Sequence, residues 1–239
     1  MTGKERQPAA ASRTASARPP ARTLTTVGEP RRTSAQTREA ILDAAERLFA
    51  AYGYRATSLE EIGREAGLSR GTPGYFFRSK ELLYREMLDR IVQRARRALA
   101  PAYERAHEGG VPLRATVTEL VTAHLELLAA EPALVRVLQW ETLHADGHLM
   151  EILGSYAESL AELIREIDTR STRTLGDTEA TNLLVGAAAL CWFPFAYAEA
   201  LERLLDRDPR RVDVLVAHAS EVVDFVLARL GERESAATG

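Results

Sequence analysis

The sequence predicts an all-α protein, with an N-terminal three-helix helix–turn–helix domain followed by a larger helical domain. Three observations predict it. From Thr37 onward apolar residues recur at helical spacing, and no run shows the period-two alternation of a strand. Residues 57–72 hold two brief helical patterns separated by a glycine-containing turn. Charge is lopsided: residues 1–80 carry 14 Lys and Arg against 8 Asp and Glu, while residues 81–239 carry 17 against 26. A basic head on an acidic body points to a polyanionic partner at one end.

Residues 1–33 are rich in Arg, Ala, Pro, Ser and Thr and almost lack large apolar side chains. They cannot offset their own ordering entropy and are expected to form a disordered basic arm. Arg6, Arg13, Arg18, Arg22, Arg31 and Arg32 suit it to phosphates or a minor groove, or leave it a solvated extension. The helix–turn–helix domain is expected over residues 34–80. Its first helix carries the stripe Ile41, Leu42, Ala45, Leu48, Phe49 and should stop at Gly53. Ser58 and Glu61 match a capping box that opens the second helix, with Leu59, Ile62 and Ala66 facing inward. Gly67 stops it. Ser69 is the expected cap of a short third helix, and Lys80 leads into a long fourth one ending near Gly109-Gly110.

The second domain is expected over residues 81–231, with helices at 113–130, 132–144, 148–171, 178–206 and 210–230, and a disordered tail at 232–239. Pro132 and Pro209 fall at first-turn positions, where a missing N–H costs little. The helix at 178–206 is apolar on all sides, which implies burial on more than one side.

Several function classes are excluded early. A single cysteine, Cys191, rules out a disulfide framework and a multi-cysteine zinc site, and suits a reducing, cytoplasmic setting. The N-terminus lacks the apolar core of a secretory signal. The stretch Leu183–Ala198 falls short of the roughly 20 residues of a membrane span. His144 and His148, with Glu141 and Glu151, are weighed as metal ligands, but Asp146-Gly147 breaks their helix, so no metal or cofactor is assigned. The sequence holds no Gly-rich phosphate loop, no G-x-S-x-G and no H-E-x-x-H, so no catalytic residue is assigned and the chain is not expected to be an enzyme.

The residues Ala44-Ala45-Glu46-Arg47-Leu48-Phe49, Tyr52-Gly53-Tyr54, Thr57, Ile62, Ala66 through Thr72, and Phe77-x-Ser79-Lys80-Glu81-x-Leu83 resemble the N-terminal domain of TetR-family transcriptional regulators. The resemblance covers about residues 37–85. It implies a ligand-responsive homodimer that binds double-stranded DNA at a palindromic operator, usually as a repressor. Thr57 and Ser58, at a helix N-terminus, are expected to meet a phosphate. Ser69, Arg70, Gly71 and Thr72 would begin the recognition helix, with Arg70 placed for a bidentate contact to guanine. Tyr75 resembles the family's aromatic phosphate contact and Lys80 its phosphate-binding lysine. Pro73 and Gly74 depart from the pattern. With Ser69 as cap, Pro73 would sit at the fourth helical position and remove a hydrogen bond, giving a weak recognition helix.

In the second domain the resemblance implies that the last two long helices pair with their symmetry mates. A small-molecule effector, largely apolar, is expected near His124, Gln139, Trp140, Tyr156, Cys191 and Trp192, each of which is also compatible with ordinary core. A helical enzyme and an architectural DNA binder without effector control are the competing readings.

Overall fold

The computed structural model describes residues 32–107, 110–144, 165 and 175–231, and every regular element among them is helical. In chain order these are α1 (Ser34–Ala56), α2 (Leu59–Glu65), α3 (Thr72–Phe77), α4 (Lys80–His107), α5 (Leu113–Ala130), α6 (Pro132–His144), α7 (Asp177–Ala196), α8 (Ala198–Leu205) and α9 (Val212–Leu230). The expected basic arm up to Arg31, the helix at 148–171 apart from Arg165, and the tail at 232–239 lie outside the described residues, as do His148, Glu151 and Tyr156.

Local chemistry explains most boundaries. Thr33 and Gln36 form a capping box at the start of α1, and Ser58 and Glu61 form the anticipated one at α2. Gly53 leaves helical geometry at φ 78° and kinks α1 where the sequence placed its stop. Gly67, at φ 68°, ends α2 in the same way. Pro132 is the first residue of α6, as expected.

Two boundaries differ from expectation. The helix at 178–206 is broken into α7 and α8 at Tyr197. Pro194 has no N–H to give Leu190, and the His218 ring nitrogen Nε2 lies 2.9 Å from the Leu190 oxygen instead. Pro209 is not in the first turn of α9, which begins only at Val212.

Two apolar cores result. The first gathers Ile41, Phe49, Ile62, Phe77, Leu83 and Met87 with Leu134 and Val137 of α6, so it crosses the expected boundary at 80/81. The second joins Val117, Leu125, Cys191, Phe195, Val222 and Leu227 from α5, α7 and α9. α4 belongs to both and spans about 42 Å at 1.5 Å per residue.

Helix α7 has 20 residues and a mean hydropathy of 1.2, which length and composition alone allow for a membrane span, contrary to the shorter stretch read from sequence. It packs on α5 and α9 through Leu183, Cys191 and Phe195. It does not reach burial on several sides within one chain: Val185, Leu190 and Phe193 stay exposed.

Candidate nucleic-acid interface

The α2–α3 unit is held from behind by packing and from its ends by hydrogen bonds. Gly63 makes the close crossing possible: a Cβ there would lie 2.9 Å from the Ser69 carbonyl oxygen and 3.2 Å from Pro73 Cδ. The sequence reading missed this residue, although a glycine inside a short helix is itself a signal of close approach. Arg38 stacks over the Phe77 ring at 4.5 Å and pairs with Glu86, tying α1, α3 and α4 together.

Helix α3 starts later than the sequence suggested. Gly71, not Ser69, is its N-cap, so Pro73 is the second helical residue and its missing N–H costs no bond. The expected defect is absent because the start slid by two residues. Ser69 Oγ and Thr72 Oγ1 instead lie 2.7 Å apart and close the turn onto the helix.

The sequence-derived site residues separate into two groups. Arg70 and Tyr75 are presented outward, Tyr75 with 84% of its surface exposed. Glu60 lies 3.9 Å from the Arg70 guanidinium and is its ionic neighbour in the free protein. Arg64 and Arg78, not singled out from sequence, are exposed as well. Thr57 and Lys80 are engaged internally, whereas Ser58 stays exposed and caps α2. Thr57 is buried and donates its hydroxyl to Gly53 O at 3.0 Å. Ser58 Oγ lies 2.7 Å from the Glu61 carboxylate and accepts from the Glu61 N–H. Lys80 Nζ donates to Tyr54 O at 2.8 Å and Thr57 O at 3.0 Å, and sits 4.2 Å from the Tyr54 ring centre. Burial pushes the Lys80 pKa down, against the pull of Glu61. These bonds clamp the α1–α2 linker to the start of α4.

Arg32, at the foot of α1, donates to Ala66 O at 2.9 Å, the end of α2, where a cation meets the negative pole of the helix. The chain therefore enters the domain beside the α2–α3 turn.

The matched sequence families settle the kinship of this unit. Residues 41–87 match the profile of bacterial regulatory proteins of the tetR family, and residues 114–226 match a tetracyclin repressor-like C-terminal domain. The chain belongs to the TetR family. Among curated TetR-family relatives, the transcriptional repressor KstR2 of Rhodococcus jostii (strain RHA1) is 35% identical over 107 residues, 45% of this chain and 50% of that protein. The transcriptional regulator RutR of Escherichia coli (strain K12) is 32% identical over 137 residues, 57% of this chain and 62% of that protein. The chain thus spans between half and just under two thirds of these relatives' length. A TetR-like regulator from Rhodococcus sp. RHA1 shares the fold with a TM-score of 0.64 at 22% identity, covering 85% of this chain and all of that one. The fatty acid degradation regulator FadR from Bacillus halodurans does so at 0.60 and 20%, covering 82% and 97%.

The described residues among those named from sequence as effector contacts lie on α5, α6 and α7. Trp140 donates its indole N–H to Ala50 O at 3.1 Å and faces α1. Gln139 donates to Ala196 O at 2.9 Å, joining α6 to α7. His124 lies in α5, with Nδ1 2.7 Å from Leu120 O and Nε2 3.3 Å from the Tyr103 hydroxyl. Cys191 is buried in the second core, which pushes its thiol up to about 11, and Trp192 packs on that core.

Proposed function

We propose that the protein is a homodimeric, sequence-specific DNA-binding transcriptional regulator, acting as a repressor that a small, largely apolar effector releases from a palindromic operator. The observation that carries this reading is the pairing of a rigidly braced α2–α3 unit with outward-facing Arg70 and Tyr75 in a TetR-family chain. Arg70 would read a guanine edge, Ser69, Gly71 and Thr72 would bring the start of α3 to the groove, and Tyr75 would meet a phosphate. Thr57, Ser58 and Lys80 would serve mainly by holding the frame. The domain division at 34–80 and 81–231 is kept as a functional one, reading head and sensor. The basic arm would add phosphate contacts, a reading supported by the bond of Arg32 to Ala66 O at the foot of α1.

Dimerisation supplies the missing half of the argument. The exposed apolar residues Val185, Phe193, Val212 and Val216 lie on α7 and α9, and a two-fold pairing of these helices would cover them. It would also set two recognition helices at a fixed separation, which a palindrome requires. This burial, in a cytoplasmic protein, is preferred to membrane insertion for α7. Repression is supported by KstR2, named as a repressor, and effector control by a related FadR from Bacillus subtilis determined with stearoyl-CoA. Effector binding must favour one spacing of the heads over the other to alter DNA affinity.

Selection of bound genomic fragments with the purified protein tests the reading. A short inverted repeat is the expected product. Fragments without shared sequence would favour an architectural DNA binder, and turnover of a bound small molecule would favour an enzyme.

A further inference from the structure

A cavity of about 370 Å³ opens between the start of α6 and the α7–α8 corner, and Ala196, which accepts from Gln139, is among its lining residues. Its volume lies at the small end for ligand sites. Leu128, Val135 and Phe195 supply apolar wall, and three guanidiniums, Arg136, Arg203 and Arg210, reach it from α6, α8 and the α8–α9 connection. The only carboxylate among its lining residues is Glu199, which pairs with Arg136. Arg210 is held by Asp208 at 2.8 Å and reaches Glu202 at 3.8 Å. Among the described residues no ion-pair partner is assigned to Arg203. Counted with Asp208 and Glu202, three carboxylates face the three guanidiniums, so Arg203 is the cation left without an ion-pair partner among the described residues, beside an apolar wall.

We propose that this cavity is a binding site for a small amphipathic carboxylate, whose anionic head meets Arg136 and Arg203 and whose hydrocarbon body lies against Leu128, Val135 and Phe195. Arginine is suited to the head because its planar fork accepts a carboxylate through two parallel hydrogen bonds. The apolar wall discriminates against bare inorganic anions, which gain nothing from it. Glu199 is the internal stand-in: an incoming carboxylate replaces it at Arg136, and the two states differ in whether α6 is tied to α8 by the protein or through the ligand. Because α6 also carries Trp140, bonded to α1, the site sits on a helix that touches both halves of the chain.

The site goes beyond the DNA-binding reading and does not depend on it. Calorimetric titration of the full-length protein in the absence of DNA tests it, with decanoate as probe and decanol and sulfate as controls. Decanoate is expected to bind with decanol and sulfate each at least tenfold weaker. Arg203→Ala and Arg136→Ala should each weaken decanoate about tenfold, and Ala200→Trp, which fills the cavity from an exposed position, should abolish binding. Unchanged helical circular dichroism in these variants separates loss of site from loss of fold. Absence of decanoate binding, equal binding of decanol, or binding unaffected by both arginine variants would each overturn the assignment.

Discussion

Arg70 and Lys80 are both cations of the candidate interface, yet their surroundings give them different work. Arg70 projects from the turn with Glu60 as its ionic neighbour among the described residues, whereas Lys80 has two backbone carbonyls within 3.0 Å. Arg70→Ala should cost roughly 1–3 kcal/mol against the preferred operator and little against one already substituted at the contacted base. Lys80→Met should instead lower the melting temperature, since two carbonyls lose a charged donor, and should weaken all operators alike. Thermal melts together with affinities for single-base operator variants check both, and equal loss across variants for Arg70→Ala would sink its reading role. His124 supplies a pH signature. Burial outweighs its Leu120 hydrogen bond and lowers its pKa below the ordinary 6.5. The folded protein therefore binds fewer protons there than the unfolded chain once pH falls below about 6.5, and stability declines toward the folded pKa. Urea midpoints between pH 7.5 and 5.5 should fall in the wild type and fall less in His124→Gln.

At the scale of elements, the junction of α1 and α6 is a close constraint between the two functional halves. Gly53 takes φ 78° and a Cβ there would meet the Trp140 ring at 3.0 Å, while the Trp140 N–H binds Ala50 O. Tyr84 of α4 pairs with Glu141 of α6, and Arg94 of α4 reaches both Glu46 of α1 and Glu131 before α6. Burial alone would raise the Glu46 pKa, but its bonds to Arg94 and Arg90 overcome that and lower it. Gly53→Ala should destabilise by more than about 1 kcal/mol through left-handed strain and the ring contact together. Denaturant unfolding measures this, and a neutral result would mean that Trp140 moves aside freely. The α1 stop at Gly53 was legible in the sequence because glycine alone accepts that backbone region. The aromatic partner 87 residues later was not, because nothing local to Gly53 encodes it.

At the scale of the whole molecule, the unfinished face of α7 and α9 carries the consequence. Phe193 and Val216 are 54% and 64% exposed in the single chain, a poor place for apolar residues unless another copy covers them. Phe193→Asp should convert the dimer to monomers in sedimentation velocity and abolish tight binding to a two-half-site operator, with helical content retained. Persistence of the dimer would move the interface elsewhere. Binding to a single half-site should survive, since α1–α4 share a core that does not include Phe193.

The sequence by itself determined the helical class, the helix–turn–helix, both α1–α2 boundaries and the family, because caps, glycine stops and apolar periodicity act within a few residues of chain. Tertiary structure decided what those residues are free to do. It moved the start of α3 to Gly71, so that Pro73 falls where its missing N–H is harmless. It spent Thr57, Ser58 and Lys80 on internal bonds and left Arg70 and Tyr75 facing outward. It also gave the Trp140 indole N–H a partner in α1, the Ala50 carbonyl. A hydroxyl or ammonium near a helix start suits a phosphate and a backbone carbonyl equally well. Which one it meets depends on packing between segments far apart in the chain.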